Sequence, residues 1–105
     1  MIRLPGILLY DKTAMMKKFI IEREITGAGS MTEEELQAIS KTSVSVISVL
    51  GKPYRWVESY VTQDKVYCVH EAESEDVVRE HSACASFPAN AIEEIKAIIN
   101  PSTAD

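Results

Sequence analysis

Residues 17–25 alternate without a break: Phe19, Ile21, Arg23 and Ile25 fall on one face of an extended segment, and Lys18, Ile20, Glu22 and Glu24 on the other. This is the period-2 signature of a β-strand. The turn-prone residues 26–30 follow. Thr32 then stands three positions before Glu35, so each side chain can accept a hydrogen bond from the other's backbone N–H, a capping box that opens a helix. A strand that passes into a capped helix within one short turn sets a framework of mixed strands and helices.

The rest of the order follows from similar local signals. Leu36, Ile39, Ser43, Val46, Ile47 and Leu50 recur at helical spacing, and Gly51 followed by Pro53 supplies the stop. β-branched residues among positions 44–49 lower helix propensity, but the cap and the stop outweigh them. Two runs rich in aromatic and β-branched residues, 54–61 and 66–72, flank a polar turn at 62–65 and read as an antiparallel hairpin. Ser74 caps a second helix predicted over 75–86, with Glu75 and Asp76 at the positive end of its dipole and Pro88 beyond its end. Residues 91–99 admit two readings. Ile92, Ile95, Ile98 and Ile99 match a helical stripe, while a strand there would complete the sheet. The β-α-β-β-α-β order of a ferredoxin-like fold needs that fourth strand. The expectation is therefore an antiparallel sheet with two helices on one face.

A chain of 105 residues with 46% hydrophobic and 26% charged residues has enough apolar surface for one folded domain, predicted over residues 16–105. Residues 1–15 show no periodic pattern and read as an N-terminal extension, or as the product of an upstream start. The net charge of −5, with no basic block, repels phosphate backbones and argues against nucleic acid as a partner. The apolar run Ile7, Leu8, Leu9, Tyr10 is too short for a signal-peptide core or a membrane span, so the expectation is a cytoplasmic protein with no membrane partner. Cys68 and Cys84 are too few and too far apart for a zinc ribbon or a CxxC centre, and both are expected as free thiols.

Four stretches carry a family resemblance: residues 19–25 (FIIEREI), 56–62 (WVESYVT), 65–69 (KVYCV), and Glu80-His81 followed by residues 87–90 (FPAN). Together they resemble a family of small bacterial proteins of unknown function, one branch of which is described as nickel-binding. The resemblance implies a ferredoxin-like fold that pairs into a homodimer, a dimeric α+β barrel. In the nickel-binding branch it also implies a metal held by side chains that include histidine. This chain departs from that branch at two positions. The second helix has Glu80 beside His81 where a pair of histidines is expected, and Glu58 stands where relatives often carry histidine.

Two groups of residues could carry chemistry. His81 continues the stripe of Val77 and Val78 and is either a packed, hydrogen-bonded histidine or a ligand for nickel or another divalent metal. Cys68 and His70 share a strand face with Val66. With His81 and Glu22 they form the candidate metal set. The second group is the opposite sheet face, where Glu22, Glu24, Trp56, Glu58, Tyr60 and Tyr67 are expected to point away from the helices. These residues suit a ligand-binding surface or a charge-rimmed dimer interface.

Nothing matches a P-loop, GxSxG, HExxH or dinucleotide fingerprint. The Gly27-Ala28-Gly29 segment reads as a turn before the capped helix, and the carboxylates at 33–35 as its solvated first turn. The leading expectation is a small homodimeric binding protein for a divalent metal such as Ni2+ or for a small molecule. A metal-free interaction module and a dimeric α+β-barrel enzyme are the alternatives.

Overall fold

The computed structural model describes residues 16–105; the extension expected over residues 1–15 lies outside them. The elements are β1 (Lys17–Glu24), a 3-10 turn (Ala28–Ser30), α1 (Glu33–Leu50), β2 (Tyr54–Val61), β3 (Lys65–Ala72), α2 (Glu75–Ala85), β4 (Ala91–Glu94) and a terminal 3-10 turn (Pro101–Ala104). The strands form one antiparallel sheet in the order β2-β3-β1-β4, the ferredoxin-like arrangement. Among the described residues, no helix is long and apolar enough to cross a membrane.

Local chemistry accounts for the boundaries. The capping box of Thr32 and Glu35 is present, with bonds of 2.9 and 3.1 Å. Gly51 closes α1 at φ 64°, a left-handed conformation that glycine adopts without a Cβ penalty. The turn before α1 is pinned to the β2–β3 hairpin: Gly29 N–H donates to Gln63 O at 2.9 Å, and Gly27 N–H to Asp64 Oδ1 at 2.9 Å. A Cβ on Gly29 would lie 3.0 Å from both Gln63 Cα and Thr62 O. Gly29 thus serves close backbone approach, whereas Gly27, with open space around it, supplies a left-handed φ of 76°.

The core lies between the sheet and the helices. Phe19 and Ile21 of β1, Ala28 of the first 3-10 turn, Val66, Cys68 and Ala72 of β3, Val77 and Val78 of α2 and Ile92 of β4 are its buried members. Two expectations are corrected. A β-bulge between Trp56 and Glu58 inserts an extra residue on β2 and reverses its alternation. Trp56 therefore faces the helices, opposite His70, while Glu58 and Tyr60 face the open side, opposite Val69 and Tyr67. The last strand covers only residues 91–94 of the predicted 91–99. Ile95 N–H still donates to Lys18 O at 2.7 Å, but Ile98 and Ile99 are 64% and 79% exposed, with no partner surface among the described residues to extend the strand.

Candidate functional site

The inward phase of β1 places a charged side chain among apolar ones. Arg23 follows Phe19 and Ile21 into the core and is only 3% exposed. Its Nε donates to Cys68 Sγ at 3.3 Å, and its Nη1 to Ser82 Oγ at 3.0 Å and Pro88 O at 2.7 Å. Nη2 has no hydrogen-bond partner, and no ion pair to Arg23 forms among the described residues. The Phe87 ring, its centroid 5.3 Å from Cζ, offers a cation–π contact. Such contacts contribute about 0.5–2 kcal/mol, whereas the effective desolvation penalty of a buried ion is several kcal/mol. Arg23 is thus incompletely compensated.

Next to it lies a cluster of aromatic and imidazole rings contributed by three elements. Tyr54 at the start of β2 stacks on His81 of α2, with centroids 4.8 Å apart and an angle of 14°, and meets His70 of β3 edge-on at 5.2 Å. The two histidine rings are 5.1 Å apart. Tyr54 Oη and His70 Nδ1 are 2.6 Å apart, and His81 Nε2 lies 3.3 Å from both Oγ and O of Ser43 on α1. A donating Nε2–H fits the Ser43 carbonyl and leaves Nδ1, buried and without a partner, as the unprotonated nitrogen. Burial drives the His70 pKa down to about 3, helped by His81 and the Arg23 charge. Burial also lowers His81, against the Ser43 hydrogen bond and with Arg23 adding to the effect. Both rings are neutral at pH 7. Tyr54, raised mainly by burial, stays protonated.

A cavity of about 210 Å³ opens between α1 and the helix-facing side of the sheet. Arg23, Cys68 and His70 lie on its inner wall, Ile39 and Ser43 are contributed by α1, and Trp56 by β2. Its lining reaches Val61, which is 42% exposed, so the space meets the surface. The bulge that turns Trp56 inward gives this cavity its aromatic wall. Trp56 Nε1 is satisfied by Ser59 Oγ at 2.9 Å.

The candidate metal residues are divided by the sheet. Cys68, His70 and His81 share the helix side, whereas Glu22 pairs across from Tyr67 on the open side and binds Lys65 at 3.2 Å. Among the described residues, no group of three or more His, Cys, Asp or Glu side chains converges as a metal site. The donor chemistry agrees. Neutral imidazoles suit nickel, but His70 Nδ1 is occupied by Tyr54, no carboxylate joins the set, and the Arg23 guanidinium would repel a cation there. This cluster does not fit a resident nickel ion.

Of the open-face candidates, Glu22, Glu24, Glu58, Tyr60 and Tyr67 do share that side, and Trp56 does not. Tyr60 Oη donates to Glu58, and that bond raises the Tyr60 pKa. Lys65, likewise raised by its hydrogen bond to Glu22, remains charged. Arg23, Tyr54 and Ser43 were not among the site residues expected from the sequence. The available signal was Arg23 itself, a charge in the apolar phase of a strand.

The family described as nickel responsive protein SCO4226-like matches residues 19–95. The crystal structure of SCO4226 from Streptomyces coelicolor A3(2) aligns with a TM-score of 0.67 at 16% identity, over 78% of this chain and 99% of that one. No curated protein matches the chain.

Proposed function

The chain belongs to the SCO4226-like family of nickel responsive proteins, and from that membership we propose that it is a small binding protein holding its ligand in the cavity between α1 and the sheet. The carrying observation is the cavity itself, about 210 Å³ and walled by Trp56, Ile39 and Leu36 beside Arg23 and His70. An apolar cavity of roughly 150 Å³ is enough to bind benzene. The space therefore suits a single-ring molecule or a short aliphatic chain, and is small for a drug-sized ligand, whose sites start at about 300 Å³. In this reading the chain takes part in a nickel response as a binder of a small molecule, because its inward-facing donors are a poor match for the metal.

The test uses amide NMR shifts during titration with single-ring compounds. Changes should concentrate on Ile39, Ser40 and Ser43 of α1 and on Val66 and Cys68 of β3. An Ile39→Trp variant, which fills the space, should abolish them. Shifts scattered over the surface, or none with any compound, would sink the reading.

The open side of the sheet supports a second proposal, a homodimer in which two such faces meet as an α+β barrel. Its motivation is Tyr60, 51% exposed, next to Tyr67, Val69 and Ile20 on the same face. An aromatic strip rimmed by charge has the composition of an interface. Sedimentation showing a monomer at micromolar concentration would end this reading.

A further inference from the structure

We infer that the ligand of this cavity is a small organic monoanion, a carboxylate on an apolar body about the size of one aromatic ring, recognised through Arg23. The inference rests on the reading of the cavity as a ligand site and adds the chemical class of what enters it.

The argument starts from the imbalance at Arg23. Its three hydrogen-bond acceptors, Cys68 Sγ, Ser82 Oγ and Pro88 O, occupy Nε and Nη1, while Nη2 is buried with nothing among the described residues to donate to. Every other arginine in the described residues has a carboxylate: Arg55 has Glu71, and Arg79 has Glu75. Those two lie at the surface, where a carboxylate is least needed. The buried guanidinium, where a counter-charge has most value, has none among the described residues and lines the one wall of the cavity that carries charge. Of its donors only the Nη2 N–H groups are left, and they can give a charge-assisted hydrogen bond to one carboxylate oxygen.

The remaining lining narrows the class. Ile25, Met31, Leu36, Ile39 and Phe87 favour an apolar body over a hydrated inorganic ion. The imidazoles of His70 and His81 are neutral at pH 7 because they are buried beside Arg23, so the site presents a single positive charge. One negative charge balances it, and a dianion would leave one uncompensated. Ser43 and Ser59, both in the lining, provide hydroxyls for the carboxylate oxygen that Arg23 does not engage.

The experiment compares benzoate with benzamide, which have nearly the same shape and differ in charge. Trp56 is the only tryptophan and sits in the cavity wall, so its fluorescence reports occupancy in the unmodified protein. Benzoate should bind at least tenfold more tightly than benzamide. Arg23→Met should remove that preference, and Arg23→Lys should keep part of it. Equal binding of the two probes, or a preference for benzamide, overturns the anion assignment and leaves the cavity reading standing. A benzoate preference that survives in Arg23→Met overturns the role of Arg23. If neither probe perturbs Trp56 or the α1 amides, the cavity reading itself fails. The probe comparison within the unmodified protein decides the charge class even if Arg23→Met does not fold.

Discussion

The two sides of the sheet treat charge in opposite ways. On the open side several charges occur in partnership: Glu22 with Lys65, Glu71 with both Lys18 and Arg55, and Glu58 with the Tyr60 hydroxyl. Each of these groups also meets water, and exposed pairs of this kind contribute only about 0–1 kcal/mol. On the helix side a single guanidinium, two imidazoles and a thiol are buried together, with no carboxylate among the described residues to balance them. Charge is thus well paired where pairing matters least and unpaired where it matters most. A fold selected for stability alone would place methionine or leucine at position 23, because apolar replacement of buried ionic groups is often neutral or stabilising. The contrast is the reason for proposing the ligand site on the helix side.

Acid should separate the two sides by the largest margin. The folded protein holds His70 near pKa 3 and His81 below its ordinary value, both chiefly through burial, with the Arg23 charge adding to it. The unfolded chain protonates both near pH 6.5. Above that pH neither state carries the proton and the stability is fully present. As pH falls from about 6.5 toward the folded values, only the unfolded chain takes protons up, and stability drops by up to about 1.4 kcal/mol per pH unit for each histidine. Urea unfolding midpoints between pH 7 and pH 5 measure the slope. It should be shallower in a His81→Gln variant, and an unchanged slope would show that His81 is not held neutral. The next largest effect is linkage: at 100 times its dissociation constant, benzoate should stabilise the protein by about 2.7 kcal/mol. Thermal or urea unfolding of Arg23→Met should show no such gain.

How much of this was legible in the sequence depended on how local each signal was. Thr32 with Glu35 and Gly51 specify the ends of α1 from within a few residues, and both ends form where expected. The inward phase of Phe19, Ile21 and Arg23 was equally plain, because β1 keeps its alternation throughout. Trp56 was misplaced because the bulge at Trp56/Glu58 slips the period by one, and nothing in WVESYV marks an extra residue. The last strand is shorter than expected because Ile98 and Ile99 carry β propensity without a neighbouring surface among the described residues to pair with. Ser43 and Tyr54 become part of the site only when α1, β2 and α2 meet around His81, a long-range event that spacing along the chain does not encode.

The open side offers the third test. If two copies meet there, Tyr60 is a central aromatic, and truncating such residues typically weakens association by more than 1 kcal/mol, roughly five- to tenfold. Tyr60→Lys should therefore shift the monomer–dimer equilibrium seen by sedimentation while leaving benzoate binding on the far side of the sheet unchanged. A coupled loss of both would mean that the cavity is shaped by the dimer and that the two sides do not act independently.

The smallest effect should come from the paired charges. Arg55 lies 3.3 Å from Glu71, with 58% of its side chain exposed, and Lys18 stands on the other side of the same carboxylate at 3.6 Å. Removing Arg55 leaves Glu71 with a second cation, so no buried charge is stranded. Arg55→Met should cost less than about 1 kcal/mol in low salt. The difference should shrink further at 1 M salt, where the screening length of about 3 Å is no longer than the pair itself. The same salt should barely alter benzoate affinity if its partner is Arg23, because a buried pair is poorly screened. Matching salt dependences for Arg55→Met stability and benzoate binding would place the anion at the surface and erase the distinction between the two sides of the sheet.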